Sequence, residues 1–419
     1  MLDIIRPDDR RYPGVRHVYT ATGSPAAVIR PRSADEVAEA LLWAREAGGP
    51  LSIRSGGHGL SSVSTNDGGT VIDLGELSSI ERIDAGDGLV RIGPGARWGD
   101  VARALHPWGL AISSGDSGDV GVGGLATTAG VGLMGRAHGL TIDHIVAARI
   151  VTADGSIRTL DAEEEPDLFW AVRGAGANMG IVTSMDFRAA PVPMVAHATF
   201  HYGVPRLAPF LRSWGETVEA APREIGAFLY MGGGEVVMAS VVFAGEDTVA
   251  AEQAFAPFLK IGRVLGRRAV LTPYASVVTR TGAPHYGQQG AYLHNGFAVH
   301  LDGPLSKRLE TLLGSQYGTM VQIRSVGGAV NDVPTEATAF AHRHQNFSVT
   351  AVAPGPSASF DAAWEFVRPS LDGLYLSFET AFSPQRLTDA FPPPTLQRLR
   401  EIKRKVDPEN VFNQNFPVA

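Results

Sequence analysis

Two glycine-rich stretches hold the residues of this chain best placed to do chemistry. The first, Arg54-Ser55-Gly56-Gly57-His58-Gly59, follows a segment in which Leu51 and Ile53 alternate with Ser52 and Arg54, the pattern of a short strand. Successive glycines let the backbone take φ > 0 and turn its N–H groups to one side, which makes a nest for an anion such as a phosphate. The second stretch, residues 113–139, contains Gly115, Gly118, Gly121, Gly123, Gly124, Gly130, Gly132, Gly135 and Gly139. That density suits neither a helix nor a strand interior. Two such loops, separated by strands, could line a groove for a long flat ligand carrying a pyrophosphate, because bare backbone can approach closely and donate N–H groups. The alternative is a set of tight turns with no ligand.

Other chemistries lack their carriers. Gly130-Val131-Gly132-Leu133-Met134-Gly135 matches G-x-G-x-x-G, but it follows Thr127-Thr128-Ala129 rather than a hydrophobic strand, and Gly139 interrupts the helix that should come next. A nicotinamide-dependent Rossmann enzyme is therefore a rival reading and not the leading one. The motifs of P-loop NTPases, G-x-S-x-G hydrolases and H-E-x-x-H metalloproteases are absent. His197 with His201, and His342 with His344, have same-face spacing on a strand but no evident acidic or third histidine partner, so no metal site is expected. The chain has no cysteine, which excludes disulfides, thiolate metal sites and cysteine nucleophiles together.

A chain of 419 residues, 44% hydrophobic and 19% charged, is globular and long enough for two domains. A net charge of −7 argues against a nucleic-acid partner. Met1 to Arg6 shows no basic segment followed by an apolar run, and the longest apolar run, near Val236 to Ala244, has the length of a strand. No membrane association is expected, and a cytoplasmic location is the default.

The elements that must position the glycine loops can be read in outline. Ser33 and Glu36 form a capping box for a helix that Gly48-Gly49-Pro50 stops. Strands are predicted at Thr70–Leu74, in a hairpin from Ile80 to Ala85 and Leu89 to Ile92, in a hairpin from Ile145 to Thr152 and Ile157 to Leu160, and at Ile181–Phe187. Short helices are predicted from Trp98 to Trp108 and from Pro166 through Val172. Pro191-Val192-Pro193 looks like a boundary. Beyond it come strands at Phe228–Tyr230, Val236–Phe243, Leu293–His300 and Phe347–Val352, with helices at Leu207–Ala220, Thr248–Leu259, Leu305–Leu313 and Phe360–Val367. A helix from Thr395 to Val406 precedes the tail. Strands and helices without long βαβ crossovers indicate an α+β class.

At this point the residues carry a resemblance. Arg54-Ser55-Gly56-Gly57-His58 resembles the flavin-attachment motif of the vanillyl-alcohol-oxidase/p-cresol-methylhydroxylase superfamily, most closely its berberine-bridge-enzyme-like branch of FAD-linked oxidases. Val120-Gly121-Val122-Gly123-Gly124 with Gly139-Leu140-Thr141-Ile142-Asp143 resembles that branch's second FAD loop. Ala175 and Asn178-Met179-Gly180-Ile181-Val182 resemble its adenine-side segment, and Lys405 to Asn413 its closing motif. The resemblance implies a two-domain FAD-linked oxidase fold, with an FAD-binding domain over 1–193, a sheet-plus-helices substrate domain over 194–373, and a return to the first domain over 374–419.

It also implies a site. His58 matches the histidine bonded covalently to FAD, with Arg54, Ser55, Gly56, Gly57, Gly59 and Ser62 around it. Gly118, Val120, Gly121, Gly124, Thr128, Gly180, Val182 and Asn413 complete the cofactor set. Many relatives add a second bond from a cysteine where this chain has Ser117, so a single histidyl link is expected. The family's Tyr-x-Asn-Tyr-like strand reads here as Tyr375-Leu376-Ser377-Phe378, and its last tyrosine, often the base, has become Phe378. Tyr375 and Glu379 share the other face of that predicted strand, and Tyr375 is the expected catalytic group. The implied activity is hydride removal from a small organic substrate, with dioxygen as electron acceptor. Tailoring of a specialised metabolite is slightly favoured over oxidation of an oligosaccharide, with a flavin-binding protein lacking the usual catalysis as a further alternative.

Overall fold

The computed structural model describes every residue except 85, 282–286, 288–289 and 316–318, so the end of the hairpin expected at Ala85 lies outside the described residues. Three sheets organise the rest. A four-stranded sheet runs Ile4–Ile5, Ala27–Ile29, Thr70–Asp73, Leu51–Arg54, with its last three strands parallel. A five-stranded antiparallel sheet runs Ile80–Asp84, Leu89–Ile92, Ile181–Arg188, Ile145–Val151, Ile157–Leu160. Its central strand, Ile181–Arg188, comes straight out of the turn at Gly180, so the second sheet begins at one wall of the site described below.

Helix Ala34–Ala47 is capped by Ser33, whose hydroxyl accepts from the Glu36 N–H, and buries Val37, Ala40, Leu41 and Ala44. Val37, Ala40 and Leu41 share a core with Ile29 and Ile72 of the first sheet and Val151 and Ile181 of the second. One helix face thus welds the two small sheets together, as its apolar spacing requires.

The third sheet is seven-stranded and antiparallel: Arg263–Thr272, Val195–Gly203, Val236–Phe243, Ile225–Met231, Met320–Ser325, Phe347–Ala353, Tyr292–Ala298. Helices Leu207–Ala220, Gly303–Leu313 and Ala358–Val367 contribute Trp214, Leu309 and Trp364 to the core on one face. The sequence reading leaves three of these strands unassigned, Val195–Gly203 among them, and the other two have a physical reason. Arg263–Thr272 is an edge strand with exposed arginines on it, so it shows no apolar alternation. Met320–Ser325 alternates, but its Gln322 and Arg324 are buried on the face opposite Val321 and Ile323.

The tail packs back on the N-terminal part. Helix Pro393–Val406 buries Leu396, Leu399 and Ile402 in the core shared with Phe169 and Val172. Behind it, the buried Lys403 ammonium donates to Asp407 at 2.6 Å and to the carbonyls of Asn178 at 2.9 Å and Phe412 at 2.7 Å.

The strand expected at Tyr375–Glu379 is instead a single 3₁₀ turn, Leu376–Phe378, flanked by extended residues. Period-2 facing does not apply there, so Tyr375 and Glu379 do not share a face.

Candidate active site

The strand Leu51–Arg54 ends where its chain must turn, and Gly57, at φ +64°, supplies the left-handed residue that lets it do so. The turn runs directly against the second glycine stretch. A Cβ on Gly56 would stand 2.4 Å from the Gly121 nitrogen, so only glycine allows the two backbones to touch. The Ser55 hydroxyl ties the junction by donating to the Pro94 carbonyl and accepting from the Gly123 N–H.

The two loops form one wall of a cleft of about 400 Å³. Gly180, Ile181 and Val182 form another side, the turn Tyr375–Phe378 closes one end, and Phe412, Gln414 and Asn415 come from the tail. Gly59 and Gly124 have open space where a side chain would stand. Of the residues expected to bind cofactor, Ser55, Gly56, Gly57, His58, Gly59, Ser117, Val120, Gly121, Gly124, Thr128, Gly180 and Val182 line this cleft, as does Tyr375.

Four expected residues do not line it. Arg54 is buried behind the wall, where its guanidinium pairs with Asp73 at 2.8 Å and donates to the Val15 carbonyl at 2.7 Å. Ser62 bonds Thr20 at 2.7 Å. Gly118 packs on the backbone of Thr279. The Asn413 amide donates to the Asn410 carbonyl at 3.0 Å. These four shape the loops from outside.

His58 lies at the cleft with Tyr19 stacked on its ring, centroids 4.1 Å apart and planes within 14°. Burial, reinforced by the nearby Arg97 guanidinium, holds the imidazole below its ordinary value. A neutral imidazole with its lone pair available is the nucleophilic form. Tyr19 was not found from sequence, because nothing local marks a residue so far upstream as a partner of the glycine turn.

A polar cluster that the sequence did not reveal also lines the cleft, built on Asp116 of the second glycine stretch. Asp116 Oδ1 pairs with Arg324 Nη2 at 2.9 Å, while its Oδ2 accepts from Tyr230 at 2.7 Å and Gln322 at 3.1 Å. Burial pushes the Asp116 carboxyl up, but Arg324 and the two hydrogen bonds outweigh it and leave the group below the usual carboxylate range. Burial, then the Asp116 charge, raises Tyr230 far above an ordinary phenol. Gln322 and Arg324 are two apart on one strand face, a spacing visible only once that strand is assigned.

At the closing turn, Thr128 Oγ1 lies 2.9 Å from Ser377 Oγ, which joins the second glycine loop to the C-terminal segment. The Tyr375 hydroxyl oxygen accepts from the Gly130 N–H at 3.2 Å, and its backbone N–H donates to Asn295. Phe378 packs edge-on to Tyr375. Glu379 points away from the cleft: its carboxylate bonds His294 at 2.9 Å and lies 3.6 Å from Arg386. It is not available at the site.

The G-x-G-x-x-G segment has no strand before it. Gly130 takes φ +82° against Thr141, and Gly135 opens a four-residue helix, so the dinucleotide geometry is not formed. Of the paired histidines, His197 bonds Ser240, His342 the Ala390 carbonyl, and His344 Asp372. Among the described residues no group of three or more His, Asp or Glu could hold a metal ion, and no helix is long and apolar enough to cross a membrane.

A cleft walled by bare glycine backbone, with a neutral histidine at its side and a buried ion pair facing it, is that of a flavoprotein. Residues 25–161 match the FAD binding domain family, and residues 388–418 match the family described as berberine and berberine like. The (R)-6-hydroxynicotine oxidase of Paenarthrobacter nicotinovorans is 28% identical, over 99% of this chain and 96% of that protein. Among solved structures, 6-hydroxy-D-nicotine oxidase from Arthrobacter nicotinovorans superposes with a TM-score of 0.86 at 26% identity, covering 100% of this chain and 98% of that one. Chitooligosaccharide oxidase gives 0.89 at 24% identity, over 99% and 97% of the two chains, and shares the fold. The chain thus carries an FAD binding domain and a berberine-like segment, is similar along its length to FAD-linked oxidases, and has their two-domain α+β fold.

Proposed function

We propose that this chain is an oxidase of small organic molecules that holds its FAD by one covalent bond, to His58, with the domain division at 193 and 373 given by the resemblance. The single observation that carries the attachment is His58 itself, kept neutral at the cleft beside the close-packed glycine loops, with no second nucleophile of sulfur in the chain. Ser117 occupies the place of the second anchor in relatives, and a hydroxyl there is a far weaker nucleophile than a thiol.

When bound, FAD supplies the hydride acceptor, and dioxygen serves as the oxidant that restores it. The chain's own residues provide the rest. His58 and Tyr19 fix one end of the cleft, and the Thr128–Ser377 contact holds the closing turn against the second glycine loop. Leu125, Val131 and Phe378 give the cleft apolar surface that excludes water. Tyr375, whose hydroxyl oxygen already accepts the Gly130 N–H, is the residue of the closing turn that, as its phenolate, takes up the proton released from the substrate and becomes the neutral phenol.

The relatives named above act on hydroxynicotine and on chitooligosaccharide. Phe378, in place of a second tyrosine, favours specialised-metabolite tailoring over a sugar oxidase, because oxidising a sugar hydroxyl calls for a strong proton acceptor. The same residue supports a second reading, a flavin carrier without the usual catalysis. Acid precipitation decides the attachment. Wild type should give a yellow pellet and His58→Ala a colourless one; a yellow His58→Ala pellet would place the bond elsewhere. A peroxide-coupled substrate screen on the yellow protein then separates oxidase from carrier.

A further inference from the structure

The cluster of Asp116 and Arg324 is built as a recognition site, and it rests on the flavin reading only in that it shares the same cleft. Arg324 is 5% exposed, and its guanidinium lies between two aromatic rings, 4.9 Å from the Phe228 centroid and 4.4 Å from that of Phe378. The rings fix the plane of the guanidinium and cap its faces, so only its edge can engage a polar group. That edge is poorly satisfied by the protein. Nη2 meets Asp116, Nη1 has only a 3.4 Å approach to the Val131 carbonyl, and Nε has no partner. Nε is sealed from the cleft, but the two Nη atoms carry four N–H donors and make only these two bonds, which leaves donors for an acceptor from outside the chain.

Asp116 is complementary to it. Tyr230 and Gln322 hold the carboxylate in place, and a quarter of its side-chain surface remains open where it lines the cleft. The pair therefore presents a fixed donor and a fixed acceptor side by side. A carboxylate ligand would meet the charge of Asp116, and an ammonium ligand that of Arg324. A neutral group bearing both an acceptor and a donor meets neither penalty. The flanking Phe378 ring and the Val131 side chain favour a planar body for it.

We propose that the Asp116–Arg324 pair is the polar half of the substrate pocket, and that it selects a planar, uncharged substrate carrying a carbonyl oxygen with an N–H beside it, an amide or lactam. The carbonyl accepts from Arg324 and the N–H donates to Asp116.

The test uses purified holoenzyme and three probes, benzamide, N,N-dimethylbenzamide and benzoate, titrated by calorimetry and by perturbation of the flavin spectrum. Benzamide should bind at least tenfold more tightly than either of the others, since one lacks the donor and the other carries a charge. Cellobiose, which offers hydroxyls without a planar body, should bind no better than N,N-dimethylbenzamide. Asp116→Asn, which leaves the Arg324 charge unopposed, should reverse the order so that benzoate binds tenfold more tightly than benzamide. Equal binding of the three probes by wild type overturns the proposal, whether or not the variant folds. So does cellobiose binding as tightly as benzamide, or Asp116→Asn that shifts the flavin midpoint potential while leaving the probe order unchanged. A colourless protein would instead sink the flavin reading, which calorimetry with the same probes keeps separate.

Discussion

Gly56 and Gly121 stand back to back: a Cβ on Gly121 would lie 2.2 Å from the Gly56 nitrogen, and one on Gly56 only 2.4 Å from the Gly121 nitrogen. The obstructing atoms are backbone, so neither loop can yield without moving the cleft wall. Gly121→Ala should separate the two loops. Overpacking of this kind costs about 1–3 kcal/mol, and here its main effect falls on cofactor retention. We expect at least a fivefold lower flavin-to-protein ratio in the absorption spectrum. A variant that purifies fully yellow would show that the contact does not govern the cofactor cleft.

Tyr375→Phe removes the hydroxyl and nothing else. If that oxygen takes the substrate proton, kcat should fall by about 10²-fold or more, the usual contribution of a positioned acid or base, while flavin content stays at the wild-type level. The buried Gly130 N–H also loses its acceptor, which costs about 1–3 kcal/mol and should appear as a lower Tm. Unchanged turnover with only the Tm reduced would leave Tyr375 a purely structural residue.

The tail depends on a single buried cation. Lys403 is pinned to Asp407, Asn178 and Phe412, and its side chain and that of Asp407 are 2% and 0% exposed. Lys403→Met leaves the Asp407 carboxylate buried without its partner, a loss of about 3–5 kcal/mol. Because Phe412, Gln414 and Asn415 line the cleft, limited proteolysis should cut the tail of the variant first and release flavin fluorescence in His58→Ala, Lys403→Met protein. A tail as resistant as wild type would refute the role given to this lysine.

His342 gives the protein a pH dependence with a definite sign. Burial lowers its pKa from 6.5 to about 4, while its Nε2 bonds the Ala390 carbonyl. Between those values the unfolded chain binds a proton that the folded chain does not, so stability falls as the pH drops from about 6.5 toward 4. Two and a half units correspond to about 3 kcal/mol. Buried His144, also shifted downward by burial, adds in the same direction. His342→Gln should flatten the decline of Tm over that window by about half, with wild-type and variant curves closest at acid pH. Parallel curves would count against it.

The order of elements and the glycine loops were legible in the sequence because their causes are local. Ser33 and Glu36 cap a helix by contacts within one turn, and Gly57 is needed wherever the chain must take φ +64°. The glycines beside His58 and in the loop at Val120–Gly124 could be singled out for the same reason, since a nest of N–H groups is written in consecutive residues, while the role of His58 came from the resemblance. Together with the resemblance of Arg54–His58 to a flavin-attachment motif, the zero cysteine count limits the expected attachment to one histidyl bond before any fold is known.

The substrate side was not legible. Met320–Ser325 hides its strand pattern by burying Gln322 and Arg324, and burial of a cation is stabilised only by a partner elsewhere in the fold. That partner, Asp116, lies 208 residues away, and Tyr19 reaches His58 from outside the motif. Likewise the 3₁₀ turn at Leu376–Phe378 took Glu379 out of the site, into a hydrogen bond with His294 that no spacing foretold. The sequence by itself determined where backbone would be bare enough to cradle a cofactor, because conformational freedom belongs to single residues. Only the tertiary structure decided which charges face that cradle, because a charge finds its counterpart in space and not along the chain.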